Sequence, residues 1–112
     1  DLAGLSKPDH LEGASAVPLL LNPGRSWKEA AFSQYPRSYK GKHLMGYSMR
    51  TSRYRFTCWV DRDDHTKVDA IELYDHETDP QENVNIAADP ENEKLVKNLM
   101  RQWRGGWQEA RK

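Results

Sequence analysis

Between Leu44 and Tyr74, apolar side chains recur at every second position. Met45, Tyr47 and Met49 alternate with smaller or polar residues, and Tyr54, Phe56, Cys58 and Val60 repeat the pattern, which is the period of a strand with one buried face. Only Thr51, Ser52 and Arg53 separate these runs, so Leu44 to Arg50 and Tyr54 to Val60 are predicted to form an antiparallel hairpin. A third run, Ala70 to Tyr74, stops at Asp75-His76-Glu77-Thr78-Asp79-Pro80, a cluster of turn formers. Upstream, Ala31-Phe32-Ser33-Gln34-Tyr35 predicts a first strand that Pro36 closes. Arg37 to His43 is then a basic loop ahead of the hairpin.

Near the C-terminus the period lengthens. Leu95, Val96, Leu99, Met100 and Trp103 fall on one stripe of a helix. Asp89 is placed to cap it, Pro90 suits its first position, and Glu91 and Glu93 complement the positive end of its dipole. Gly105-Gly106 is expected to end or fray the helix, with Trp107 continuing the stripe one turn on. The fold class that follows is α+β: about four antiparallel strands with a C-terminal helix packed on one face. Residues 1–30 are expected to be a connecting segment and residues 31–112 the sheet-plus-helix unit. Within the first part, Asp1 to Leu5 resembles a helix terminus with Gly4 near its C-cap. Ala14 to Leu21 predicts a short helical turn, with Pro18 in its first turn, Leu19, Leu20 and Leu21 buried, and Asn22-Pro23-Gly24 as the stop. Tyr47, Tyr54, Phe56, Trp59 and Trp27 are many aromatics for so small a sheet, which predicts that a second domain covers its other face.

A chain of 112 residues suits one domain with a modest core. Its 17 Lys plus Arg balance 17 Asp plus Glu, which argues against a nucleic-acid partner, since that needs an excess of basic charge. Mean hydropathy is −0.97, and no apolar run approaches the roughly 18 residues of a membrane span. The one cysteine, Cys58, has no partner for an internal disulfide.

Three constellations invite chemistry. Asp61-Arg62-Asp63-Asp64-His65 holds carboxylates and an imidazole, but the spacing of a calcium loop is missing and Arg62 sits among the acids, so a solvated loop is expected. Cys58 lies in an alternating strand between Thr57 and Trp59, where a small buried hydrophobe is expected in place of a nucleophile. Arg37, Lys40, Lys42 and His43, with Tyr35 and Tyr39 between or beside them, could hold a carboxylate, sulfate or phosphate. An ordinary exposed loop is the alternative.

Several stretches together resemble the C-terminal subdomain of the type I sulfatases, formylglycine-dependent hydrolases of the alkaline-phosphatase-like superfamily. They are Phe32-Ser33-Gln34-Tyr35-Pro36-Arg37, Met45-Gly46-Tyr47-Ser48-Met49-Arg50-Thr51, Tyr54-Arg55-Phe56-Thr57, Glu72-Leu73-Tyr74-Asp75 and Asp79-Pro80-Gln81-Glu82-Asn83-Val84-Asn85. Within that family the likeness is to the iduronate 2-sulfatase group. Leu2-Ala3-Gly4-Leu5, Leu11 to Ser15 and Leu19-Leu20 are similar to the segment that joins the large domain to this one.

The resemblance implies hydrolysis of sulfate esters of sulfated sugars by a formylglycine made from a CxPxR or SxPxR motif, with calcium as cofactor. Cys58 is followed by Trp59 and Val60, so no catalytic residue and no metal ligand is expected in this chain. Nucleophile and calcium are assigned to an N-terminal catalytic domain of the same enzyme, with this chain supplying one wall of the pocket. The resemblance also places a substrate-binding lysine in the loop before the MGYS strand, which offers Lys40 or Lys42 with His43 adjacent. Sulfated glycans imply a periplasmic, secreted or lysosomal setting. Two other functions stay open: a free-standing module that binds anionic glycans without catalysis, and a phosphodiesterase or phosphonate hydrolase of the same superfamily.

Overall fold

The computed structural model describes residues 1–110. A five-residue helix α1 (Val17–Leu21) precedes four strands, β1 (Ala31–Tyr39), β2 (Lys42–Arg50), β3 (Tyr54–Asp61) and β4 (Val68–Asp75). A 3-10 turn (Pro90–Asn92) then leads into the long helix α2 (Glu93–Glu109). The strands form one antiparallel meander in the order β1-β2-β3-β4, and α2 lies across one face.

Alternation in sequence becomes two-sidedness in space. Met49, Phe56, Cys58, Val60 and Leu73 point to the helix side and are fully buried there with Leu99 of α2. Leu95, Val96, Met100 and Trp103 pack around that core, so the expected stripe is the stripe used. Trp103 Nε1 donates to the Tyr47 carbonyl at 3.0 Å, tying helix to sheet. The free side of β4 is closed by the connector: Asn85 Oδ1 accepts from Leu73 N at 2.9 Å, and Ile86 N donates to Leu73 O at 3.0 Å. Asn85 thereby serves as a short substitute strand at an edge that would otherwise be unpaired.

Several expectations need correction. Pro36 does not end β1, which runs on to Tyr39. β1 is an edge strand, whose outer side needs no ladder donor, and proline is tolerated there. For the same reason Arg37 to His43 is not a loop: Arg37 pairs with Leu44, Ser38 with His43 and Tyr39 with Lys42, leaving only Lys40 and Gly41 as the turn. Both have positive φ, 49° and 77°, the left-handed pair that matches a tight hairpin to strand twist.

The C-terminal helix begins one turn later than its caps suggest, because Pro90–Asn92 is 3-10 and Asp89 makes no side-chain cap bond. Gly106, at φ 72° and ψ −175°, interrupts the helix where the glycine pair was expected to, and the last turn beyond it ends in the buried Ala110. At the other end, residues 1–4 form a turn closed by Gly4 N to Asp1 O at 3.0 Å, not a helix terminus. Leu20 and Leu21 are 64% and 83% exposed, since a five-residue helix brings no surface of its own to bury them against.

Candidate functional site

The sheet face opposite α2 carries the residues of the other parity. Successive cross-strand rows read Ser33-Ser48-Thr57-Glu72, Tyr35-Gly46-Trp59-Ala70 and Arg37-Leu44-Asp61. Thr57 Oγ1 donates to Ser48 Oγ at 3.0 Å, and Trp59 Nε1 donates to Glu72 Oε1 at 2.9 Å. Arg55 pairs with Glu82 and lies 5.7 Å from the Tyr74 ring centroid. Burial and the neighbouring Glu72 together hold the Tyr74 hydroxyl above its ordinary range, so it stays protonated as a donor to that carboxylate. Four of the aromatics that suggested a covered second face are divided between the two faces. Phe56 is core, Tyr47 and Tyr54 pack against the core, and Trp59 faces the other way with Tyr35 and Tyr39.

Gly46 explains how Trp59 fits. A Cβ at position 46 would lie 2.7 Å from the indole ring, well inside the roughly 3.5–4.0 Å of a carbon contact. The ring therefore rests on bare backbone. A shallow cavity of about 240 Å³ opens beside it, floored by Gly46, Ser48 and Thr57 and walled by Tyr35, Arg55 and Trp59.

Above this row the β1–β2 hairpin overhangs β3, whose last β2 partner is the pair Leu44 and Asp61. Arg37, Tyr39, Lys40, Lys42 and His43 are all exposed on this extension. The guanidinium of Arg37 sits 5.1 Å from the Tyr39 ring and 5.2 Å from the Trp59 ring. Lys40, at the turn, places Nζ 5.1 Å from the centroid of the Tyr39 ring. Lys42 is paired with Asp69 of β4. His43 is directed away from that row, its Nδ1 3.4 Å from Ser38 Oγ. Of the three sequence-derived candidates, Lys40 thus has no carboxylate partner among the described residues, Lys42 is paired with Asp69, and His43 serves the hairpin. Tyr39, two residues along β1, was grouped with Arg37 from the sequence, whereas Trp59 was missed as its partner because it comes from β3, two strands away.

The remaining candidates have structural duties. Asp61 Oδ1 accepts from the N–H groups of Asp63 and Asp64 at 2.9 and 3.0 Å. Hydrogen bonds from Thr66 and then Lys67 hold the Asp64 carboxyl below its usual range. These carboxylates close a turn, and among the described residues no cluster of three or more acids, histidines or cysteines converges on a point. The donor set does not fit calcium, which takes six to eight oxygens. Cys58 is fully buried, and burial pushes its thiol up to about 11, the opposite of an activated nucleophile. A larger groove of about 960 Å³ lies on the helix side, where Tyr47 meets His65 and Trp103 edge to face at 5.3 and 6.2 Å. Lys28, His65 and Arg104 line it beside Phe32, Tyr47 and Trp103. No helix among the described residues is long and apolar enough to cross a membrane.

The strand motifs and the helix behind them have counterparts in known proteins. The chain is 32% identical over 105 residues to an N-acetylglucosamine-6-O-sulfatase of Bacteroides thetaiotaomicron, covering 89% of this chain and 18% of that protein. It is 33% identical over 96 residues to the iduronate 2-sulfatase of Homo sapiens, covering 70% of this chain and 18% of the relative. A solved structure in complex with its substrate D-glucosamine-2-N,6-O-disulfate superposes with a TM-score of 0.74 at 29% identity, over 96% of this chain and 22% of the other. A 2-O GAG sulfatase superposes with a TM-score of 0.73 at 25% identity, over 97% of this chain and 22% of the other. The chain spans about a fifth of the length of the relatives it matches. The family described as N-sulphoglucosamine sulphohydrolase, C-terminal, matches residues 1–108. A match across every element from the first turn to α2, on an α+β fold shared with sulfatases, makes this chain a sulfatase C-terminal domain of that family.

Proposed function

We propose that this chain is the C-terminal part of an enzyme that hydrolyses sulfate esters of sulfated sugars, and that its β1–β2 hairpin forms one wall of the sugar pocket. The observation that carries the proposal is the overhanging tip. It sets Lys40 on the two-residue turn and Arg37 on the adjoining end of β1, both beside Tyr39, with no carboxylate on either cation among the described residues. The named substrates of the relatives, a glucosamine disulfate among them, are anions on a ring with apolar faces. Cations beside an exposed tyrosine suit that chemistry.

In this proposal residues 1–30 join the domain to the catalytic domain of the same protein, which carries the formylglycine and the calcium. Those groups supply the nucleophile and the charge stabilisation of sulfate transfer. The part played by the present residues is binding. Lys40 attracts the anionic edge of the sugar, and the Tyr39 ring limits its approach. The exposed leucines at positions 2, 5, 11, 20 and 21 support a partner surface along the connecting segment. Sulfated glycans place the enzyme in the periplasm, outside the cell or in a lysosome.

The test is steady-state kinetics of the full-length enzyme with a uronate-containing sulfated substrate. Lys40→Ala is expected to raise KM by roughly three- to tenfold with kcat little changed, the cost of one partly exposed charge-assisted contact. Lys42→Ala is expected to raise it less, because Asp69 already holds that ammonium. Identical kinetics for Lys40→Ala and wild type would remove the tip from the pocket.

A further inference from the structure

Arg37 is unlike the other arginines of the sheet. Arg50 donates to the carbonyls of Thr51 and Tyr54, Arg55 pairs with Glu82, and Arg53 in the β2–β3 turn grips Asp75 through Nε at 2.9 Å and Nη2 at 2.6 Å. Arg37 has neither a hydrogen bond nor an ion pair among the described residues; its partners are the Tyr39 and Trp59 rings. A guanidinium is planar and presents five N–H donors around its rim. Aromatic rings interact with its charge and its faces, which leaves that rim available for a two-point bond to a carboxylate or sulfate.

The support is built before any ligand arrives. Trp59 is seated on Gly46, where a Cβ would stand 2.7 Å from the ring, and its Nε1 is held by Glu72 at 2.9 Å. A cation positioned in this way has less rotamer freedom to lose on binding than a free surface arginine. Lys40 and Arg37 share the Tyr39 ring, each 5.1 Å from its centroid. The two charges are therefore no more than about 10 Å apart, a span that two anionic groups on adjoining sugars can bridge.

The geometry points to Arg37 as the receptor for a second anionic group of the substrate, a carboxylate or sulfate on the sugar next to the one carrying the scissile ester. The substrate class is then an oligosaccharide with at least two anions. This rests on the sulfatase reading above, with the hairpin tip facing the ligand.

The experiment compares three sulfated disaccharides that differ only in the neighbouring sugar, which is neutral, carboxylated or sulfated, using the full-length enzyme. Wild type is expected to prefer a charged neighbour, and the arm with the higher kcat/KM identifies the anion. Arg37→Ala is expected to lower the charged-over-neutral ratio of kcat/KM by about 10- to 100-fold, the range of one bidentate charge-assisted contact. Arg37→Lys, which keeps charge and stem but not the fork, is expected to lower it by less, and it carries the test should the alanine variant fold poorly. A thermal midpoint for each variant checks that the fold is intact. Ratios that match wild type in both variants overturn the assignment of Arg37 while leaving the sulfatase reading in place. A wild-type enzyme that cleaves none of the three overturns both.

Discussion

Replacing Gly46 with alanine tests whether Trp59 is as tightly seated as its surroundings imply. The added Cβ would meet three atoms of the indole at 2.7, 2.9 and 2.9 Å, roughly 1 Å inside a comfortable carbon contact. Position 46 has no positive φ, so alanine meets no backbone strain there, and its smaller unfolded-state entropy returns about 0.4–1 kcal/mol. Against that stands overpacking, about 1–3 kcal/mol where the neighbours cannot yield. Trp59 can move only by leaving Glu72, 2.9 Å from its Nε1, and by disturbing Arg37 at 5.2 Å. The net expectation is a loss of about 1–2 kcal/mol. With a urea dependence near 1–1.5 kcal/mol/M for a domain of this size, the midpoint falls by about 1 M. Tryptophan fluorescence during urea titration reads this directly. A variant as stable as wild type, or more so, would show that the indole has room to spare and that the Arg37 clamp is not pre-formed.

Two further outcomes follow from the core and the turn. Leu99, 5% exposed at the centre of the helix–sheet contact, is expected to cost about 2–5 kcal/mol as Leu99→Ala, measured as a lower urea midpoint with an unchanged slope. Hydrogen bonds from Arg53 hold the Asp75 carboxyl below its usual range. That contribution is therefore complete above an unfolded value of about 3.9 and is lost as pH falls through the lower folded value. Asp75→Asn is expected to flatten the acid limb of the thermal midpoint against pH, and an acid limb as steep as that of wild type would rule out this pair as its source.

The sheet was legible in sequence because its period-2 pattern reports a single buried face. Tyr54, Phe56, Cys58 and Val60 alternate, and three of those four are fully buried. What misled the sequence argument was punctuation. Pro36 signals a stop in a central strand but not at an edge, and it sits opposite Met45 within a continuous ladder. The charges of Arg37 to His43 read as a loop, yet Tyr39 and Lys42 are paired across a turn of two left-handed residues. Lys40, Lys42 and His43 were legible as a group, whereas their inequality was not. It depends on Asp69, 27 residues along the chain from Lys42, and on Ser38 across the hairpin. The leucines of α1 looked like core by composition alone, but burial needs a facing surface and a five-residue helix brings none.

The two faces of the sheet explain how the proposed binding tip could be held precisely on so small a scaffold. On one side Met49, Phe56, Val60 and Leu73 lie under α2 without solvent exposure, which fixes strand positions to the tolerance of a close-packed core. On the other side the same strands display the alternate residues, so Arg37, Gly46 and Trp59 inherit that rigidity through the ladder and not through a loop. Sites placed on strands hold geometry better than sites on loops. Pro36 on the outer edge of β1 and the charged residues after it discourage another strand from pairing there. The hairpin end is thereby left exposed for the proposed sugar contact, while its base is anchored by the core.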